Sequence, residues 1–335
     1  MLILHIGTHK TGTSALQAFL ASQSQRLCGL SIRYVQAGRE GRKAHHPLGW
    51  GIRGRRGYKP DVWEPLRREL KSDTTPVKLI SSEGLWFTDP AAVREQLGDT
   101  PVDRVVLYLR RQDKYLQSLY KQTVAGGREM AFDEWREEFH FRGNYLSVVS
   151  KWASVFGKDA IVIRPYERSG RTIDVVEDFL GVLGIDIKQV FPKRRMGRNN
   201  PSPRRELLEL FRAFNHLKTG VDKDKFFHAV ILRNDAYARS ADLLDYEACR
   251  ELLDSFADSN RALVRAFYSD SEPLFPELKP FDPPEIWRPG SEPYTKMLVD
   301  MLHTVWCAAQ APNDIGSWKR ALPNRSKTRD PDDRE

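Results

Sequence analysis

The sequence predicts an α/β fold in three layers, with a central, mostly parallel sheet between helices and a helical C-terminal part. Three observations predict it. Apolar runs of strand length open at Leu2, Val77, Val102 and Ala160. Between them lie stretches whose apolar residues recur three or four apart, the spacing of one helix face. Such alternation makes βαβ units and hence parallel strands. Third, the strand signal fades after residue 190, where helical and breaker-rich segments take over.

The elements follow in order. Leu2–Ile6 reads as a buried strand, and Leu16, Phe19 and Leu20 share a face of the helix after it. Leu30–Val35 is a second short strand. Residues 37–60, rich in Gly, Arg and His, read as one long loop, a length that usually carries function. Trp63, Leu66 and Leu70 set a helix; Val77–Glu83 is a strand ending in Ser81-Ser82-Glu83; residues 90–97 form a short helix. Val102–Leu109 is the next strand, and Tyr115, Leu116, Leu119 and Tyr120 stripe the helix behind it. Phe132–Phe139 and Tyr145–Phe156 are helices, Ala160–Arg164 a strand, and Thr172–Leu183 a helix ended by Gly184. Beyond the basic stretch 193–205, helices are expected at 203–217, 222–232 and 246–268, a Pro-rich surface stretch at 270–292, and a last helix at Tyr294–Gln310. One domain is expected over residues 1–270, with a cofactor half at 1–185 and a helical part at 186–270. An extension at 271–316 and a charged, disordered tail at 317–335 complete the chain.

The chain has 335 residues, 40% hydrophobic and 29% charged, a soluble globular composition. No apolar run reaches the roughly 18 residues of a membrane span, so no stable membrane insertion is expected. The N-terminal apolar stretch is broken within a few residues and does not read as a signal peptide or anchor. Cys28, Cys249 and Cys307 show no C-x-x-C spacing. They imply neither a disulfide framework nor zinc, and fit a reducing cytoplasm. The net charge of +8 points to anionic partners: nucleic acid, acidic lipid or a polyphosphorylated cofactor. The sequence shows no zinc finger or long basic helix, which disfavours nucleic acid.

The most informative stretch is Gly7 to Ser14. Gly7 and Gly12 stand five apart, as in the nucleotide loop G-x-x-x-x-G-K-[ST]. A strand, a Gly-flanked turn and a helix N-terminus direct backbone N–H groups at one spot, an anion site suited to phosphate. The Lys expected after the second Gly is replaced by Thr13, and a Lys stands three residues earlier, at Lys10. ATP and GTP chemistry requires that Lys on the β/γ-phosphates. Its displacement argues against such chemistry and keeps the cradle.

Gly7-x-x-Lys10-Thr11-Gly12-Thr13-Ser14 resembles the 5′-phosphosulfate loop of sulfotransferases that use 3′-phosphoadenosine 5′-phosphosulfate (PAPS). The likeness is greatest to their carbohydrate-type and bacterial branches, which share a P-loop-like fold. Many members carry an Arg at a later strand end and a Ser eight residues on, together binding the 3′-phosphate; Arg110 and Ser118 stand at that spacing. Members often have Asn-Pro after the Arg, and this chain has Arg111-Gln112. The resemblance implies PAPS as cofactor, no metal, and a cofactor site of Gly7, His9, Lys10, Thr11, Gly12, Thr13, Ser14, Arg110 and Ser118. A late basic loop adds Arg195 and Arg198. Lys10 would neutralise charge on the leaving phosphate, while the Thr13 and Ser14 hydroxyls and the N–H groups of residues 11–14 hold it.

Sulfonyl transfer also needs a base at the carboxyl edge of the sheet. Glu83 stands there, where other sulfotransferases place a catalytic His or Glu; it would need partial burial to raise its pKa. His45 and His46 are the rivals, with the better ordinary pKa for the task. Both sit with Trp50 in the 37–60 loop expected to face the acceptor, a hydroxyl or amine of a carbohydrate or other small molecule. Two competing readings are a P-loop kinase-like enzyme and a non-enzymatic nucleic-acid or anionic-polymer binding module.

Overall fold

A computed structural model describes residues 1–191 except 40, 42, 55–59 and 169, residues 243–281, and residues 208, 209, 211, 212, 215, 298 and 299. At its centre is a five-stranded parallel sheet of β1 (Leu2–His5), β2 (Ile32–Tyr34), β3 (Val77–Ser81), β4 (Arg104–Leu109) and β5 (Ile161–Pro165), in the order β2-β3-β1-β4-β5. All four residues of β1 are buried, as expected for the middle strand of a sheet covered on both faces.

Residues of one parity, Ile3, Leu79, Val106 and Tyr108, meet α1 (Thr13–Ser22), α2 (Ser24–Gly29), α9 (Val175–Val182) and α10 (Ile187–Val190) through Leu16, Leu20, Leu27, Phe179, Leu180 and Ile187. Leu4, Ile80, Val105 and Leu107 have the opposite parity and are also buried. On that side α8 (Tyr145–Phe156) packs on β5 and against α5 (Pro90–Leu97), and α5 packs against α4 (Trp63–Ser72). Helix α4 buries Trp63, Leu66 and Leu70, the residues whose spacing predicts it.

Because every strand runs the same way, the segments after β1, β3, β4 and β5 all emerge at one carboxyl edge. The strand order reverses around β1, which places a crevice at that edge. The segments there are residues 6–12, Ser82–Leu85, Arg110–Arg111 and Tyr166 onward.

Three expectations need correction. The 37–60 stretch is not one loop: His46–Ile52 forms a helix, α3, with Pro47 in its first turn, where proline's missing N–H is harmless. Leu48 and Gly49 of that helix are buried. Thr172 is not helical but pairs with Glu167 in a small antiparallel ribbon of β6 (Glu167–Arg168) and β7 (Arg171–Thr172). Helix α9 then starts at Val175, because Asp174 caps it by accepting from the N–H groups of Val176 and Glu177. The expected helix at 246–268 is two, α11 (Tyr246–Asp254) and α12 (Ala257–Phe267).

Met1–Leu119, Arg136–Asn199 and Tyr246–Phe281 belong to one compact unit and Tyr120–Trp135 to another. Within the second, Tyr120 donates to the Met130 carbonyl (3.0 Å), and Asn215 donates to the carbonyls of Val124 and Arg128. In the expected 203–217 helix the described residues are helical. The expected helices at 222–232 and Tyr294–Gln310 lie outside the described residues, apart from residues 298 and 299, as does the tail 317–335.

Candidate functional site

The loop after β1 is built on positive φ angles: Gly7 at 40°, Lys10 at 65° and Gly12 at 75°. At Lys10 the left-handed conformation is strained for a residue with a Cβ. Two side chains fix it: Thr8 Oγ1 donates to the Tyr108 carbonyl and Thr11 Oγ1 to the Thr8 carbonyl, both at 2.8 Å. A Cβ on Gly12 would stand 3.0 Å from Val175 and 3.5 Å from the Tyr166 ring, so the loop is pressed onto the start of α9. The result is a turn whose Thr11 to Ser14 N–H groups make no hydrogen bond to the described residues, at the positive end of α1.

Lys10 makes no hydrogen bond or ion pair with the described residues. Displaced water lowers its ammonium pKa, the Glu83 charge offsets part of this, and Arg110 adds to the lowering. That influence places Lys10 in the electrostatic reach of both, on three different loops. The Ser14 side chain is exposed.

Glu83 enters from the neighbouring strand. Ser82 is extended at the end of β3 and caps a single 3₁₀ turn, Glu83–Leu85, by accepting from the Gly84 N–H (3.1 Å). Glu83 Oε1 accepts a short hydrogen bond from Thr13 Oγ1, and Oε2 lies 2.8 Å from His9 Nδ1. The raised pKa that base work at Glu83 would need is not found. Burial pushes its carboxyl up, but the His9 hydrogen bond and charge, the Thr13 hydroxyl and the His46 charge outweigh it, holding the group below its ordinary range. The role expected for the Thr13 hydroxyl changes too. A hydroxyl has one proton, and this one goes to Glu83, which leaves the backbone N–H of Thr13 to face an anion.

The histidines part company. His45 does not face an acceptor: it is fully buried, its Nε2 2.9 Å from the Val35 carbonyl and its Nδ1 3.2 Å from the Ser81 N–H. Burial takes its pKa down to about 3. It is a core residue packed edge-on against Tyr34. His46 opens α3 with its ring tilted 5.3 Å from Trp50, near enough for its charge to act on Glu83. What brings α3 so close is Gly49: a Cβ there would lie 2.4 Å from the Gly84 carbonyl oxygen.

At the end of β4, Arg110 donates from Nη1 to Ser118 Oγ (3.0 Å), forms an ion pair with Glu167 (3.3 Å) and lies over the Tyr166 ring (5.4 Å). Tyr166 is therefore close to both Gly12 and Arg110. Arg111 is buried elsewhere: it grips Asp113 with two hydrogen bonds (2.8 and 2.9 Å) and donates to the carbonyls of Pro276 and Glu277. The spacing favours Arg110 over Arg111 as the partner of Ser118, and Arg110 is the one that donates to it. Arg195 and Arg198 lie outside the described residues.

Sequence reasoning missed a stacked column. The His9 ring lies on Phe87 (5.6 Å, 20° between planes), and the Arg142 guanidinium covers Phe87 at 4.7 Å. Nothing in their spacing relates residues 9, 87 and 142. It also missed His5, buried below Gly7 with Nδ1 2.8 Å from Ser81 Oγ; burial lowers its pKa to about 4 against the pull of Glu83.

Among the described residues there is no group of three or more His, Cys, Asp or Glu that could hold a metal, and no helix long and apolar enough to cross a membrane. No protein-family model matches the chain. An uncharacterized protein of Archaeoglobus fulgidus is 38% identical over 90 residues, 26% of this chain and 24% of that protein's length. Among solved structures, a sulfotransferase from Alicyclobacillus acidocaldarius is similar over 71% of this chain and 98% of its own, with 19% identity and a TM-score of 0.39. So distant a likeness carries no weight for the chemistry, which rests on the site itself.

Proposed function

We propose that this chain transfers a sulfonyl group from PAPS to a hydroxyl or amine, with a carbohydrate or glycoconjugate as the favoured acceptor class. One observation supports the reading: two separate groups suited to anions both lie close to one residue, Tyr166. One is the N–H groups of Thr11 to Ser14, which make no hydrogen bond to the described residues, with Lys10; the other is Arg110 held to Ser118. A ligand with two phosphates on opposite sides of a nucleoside fits such a pair, and PAPS is of that kind.

The residues fit the donor on geometric grounds. Gly12 has a positive φ, and Val175 fills the space a Cβ would need, so this turn requires glycine. The N–H groups and the Ser14 hydroxyl would hold the 5′-phosphate. Lys10 would meet the negative charge that grows on the leaving oxygen. Arg110 presents a planar fork to the 3′-phosphate, steadied by Ser118 and Glu167. Acceptor binding falls to the α3 side, where His46 and Trp50 lie. PAPS supplies the activated sulfonyl group; the protein supplies position and preorganised charge.

The test is binding without metal. 3′-Phosphoadenosine 5′-phosphate, at about 100 times its Kd, is expected to stabilise the protein by about 2.7 kcal/mol with no Mg²⁺ present. Arg110→Ala is expected to weaken that binding about 10- to 100-fold. A response to Mg·ATP alone would instead support a kinase-like enzyme, for which Thr13 stands where the Lys is needed. Mass spectrometry of candidate acceptors incubated with PAPS then identifies the product.

A further inference from the structure

The site holds a base that neither strand end supplies. Glu83 is poorly suited to the task, since both of its oxygens are engaged, one by Thr13 and one by His9, and its carboxylate is a weak base for that reason. His9 is different. One ring face lies on Phe87, Nδ1 faces Glu83 Oε2 at 2.8 Å, and 24% of the side chain reaches solvent. Its Nε2 has no hydrogen-bond partner among the described residues. A carboxylate only accepts, so the Nδ1 beside it must carry the proton. The neutral ring is thereby held as the tautomer whose Nε2 lone pair points away from Glu83.

We propose that His9 is the general base of the transfer and that Glu83 is a positioning residue acting through it; this rests on the sulfonyl-transfer reading above. His9 immediately precedes Lys10, so base and charge-neutralising group sit on one strained turn. The acceptor oxygen forms its bond to sulfur while its proton passes to His9 Nε2. The bond from sulfur to the bridging phosphate oxygen breaks, and its electron pair leaves on the 5′-phosphate beside Lys10. The imidazolium is stabilised by Glu83 and returns its proton to solvent. Through Oε1 the same Glu83 ties Thr13, the first residue of α1, so one carboxylate sets both the base and the start of the phosphate-binding helix.

The decisive variant is His9→Asn, whose side-chain amide can still donate to Glu83 in place of Nδ1–H. It is expected to lower kcat at least about 100-fold while binding 3′-phosphoadenosine 5′-phosphate within about threefold of wild type by calorimetry. Glu83→Gln is expected to lower kcat less than His9→Asn does. Independently of activity, NMR of ¹⁵N-histidine-labelled protein is expected to show neutral His9 protonated on Nδ1, with that preference lost in Glu83→Ala. The proposal is overturned if His9 is protonated on Nε2 in the wild type. It is also overturned if His9→Asn keeps kcat within about threefold or loses nucleotide binding in step with kcat, or if His46→Asn reproduces the loss and His9→Asn does not. Failure of the wild type to bind the nucleotide sinks the sulfonyl-transfer reading instead, and the tautomer still decides the dyad.

Discussion

Two short segments of this chain look alike on paper. Residues 7–14 and 45–52 each combine glycines with histidine, and each opens a helix after a strand. In the first, Gly7 and Gly12 adopt positive φ and leave a row of N–H groups uncovered. In the second, Gly49 has no such angle; it is small so that α3 can press on the turn carrying Glu83. The histidines divide the same way. His9 meets a carboxylate with one nitrogen and has no hydrogen-bond partner among the described residues for the other, whereas His45 spends both on backbone groups in the core. Glycine and histidine thus do two kinds of work, and only backbone angle and partners tell them apart.

Substitutions can break the comparison. Lys10→Ala should have the largest effect on function, a loss of about 100- to 1000-fold in kcat/KM, or roughly 2.7–4 kcal/mol of transition-state stabilisation. Lys10 makes no hydrogen bond or ion pair with the described residues, so the melting temperature should not fall; a large fall would show it to be structural. Gly49→Ala should do the reverse, destabilising by about 1–3 kcal/mol in denaturant because two backbones must separate. Gly29, with nothing within 4 Å of its Cβ position, is the control and should accept Ala without loss. Gly12→Ala should cost about 1–2 kcal/mol from its left-handed backbone and weaken nucleotide binding, which Gly49→Ala reaches only through the Glu83 turn.

The effect spread over the widest range is in pH. His45 and His5 titrate near 6.5 when unfolded and at about 3 and about 4 when folded. The unfolded chain therefore binds more protons below about pH 6.5, and stability should fall from pH 7 to pH 5 by up to about 1.4 kcal/mol per unit for each histidine. Glu83 does not blur this window, because its folded pKa lies below its ordinary one and its contribution is lost only at lower pH. Denaturant titrations of wild type and His45→Gln should show the flatter profile in the variant; equal slopes would remove His45 from the core account.

Most of the scaffold was legible in the sequence. Apolar runs and helix-spaced stripes, such as Trp63, Leu66 and Leu70 or the run at Val105 to Leu107, determine by themselves which segments are buried strands and which are helices, because burial on a period of two or 3.6 is a local property. The Gly7–Gly12 spacing likewise points to a tight turn at the end of the first strand, where both glycines adopt positive φ. Tertiary structure decided the rest. Whether Glu83 is a strong or a weak base depends on Thr13 and His9, 70 and 74 positions away in sequence. Arg110 and Arg111 differ because one faces Ser118 and the other Asp113. His45 became core, and His9 became a base candidate, through contacts with segments remote in the chain. Proton affinity and access follow from what surrounds a group in three dimensions, and no spacing along the chain encodes that.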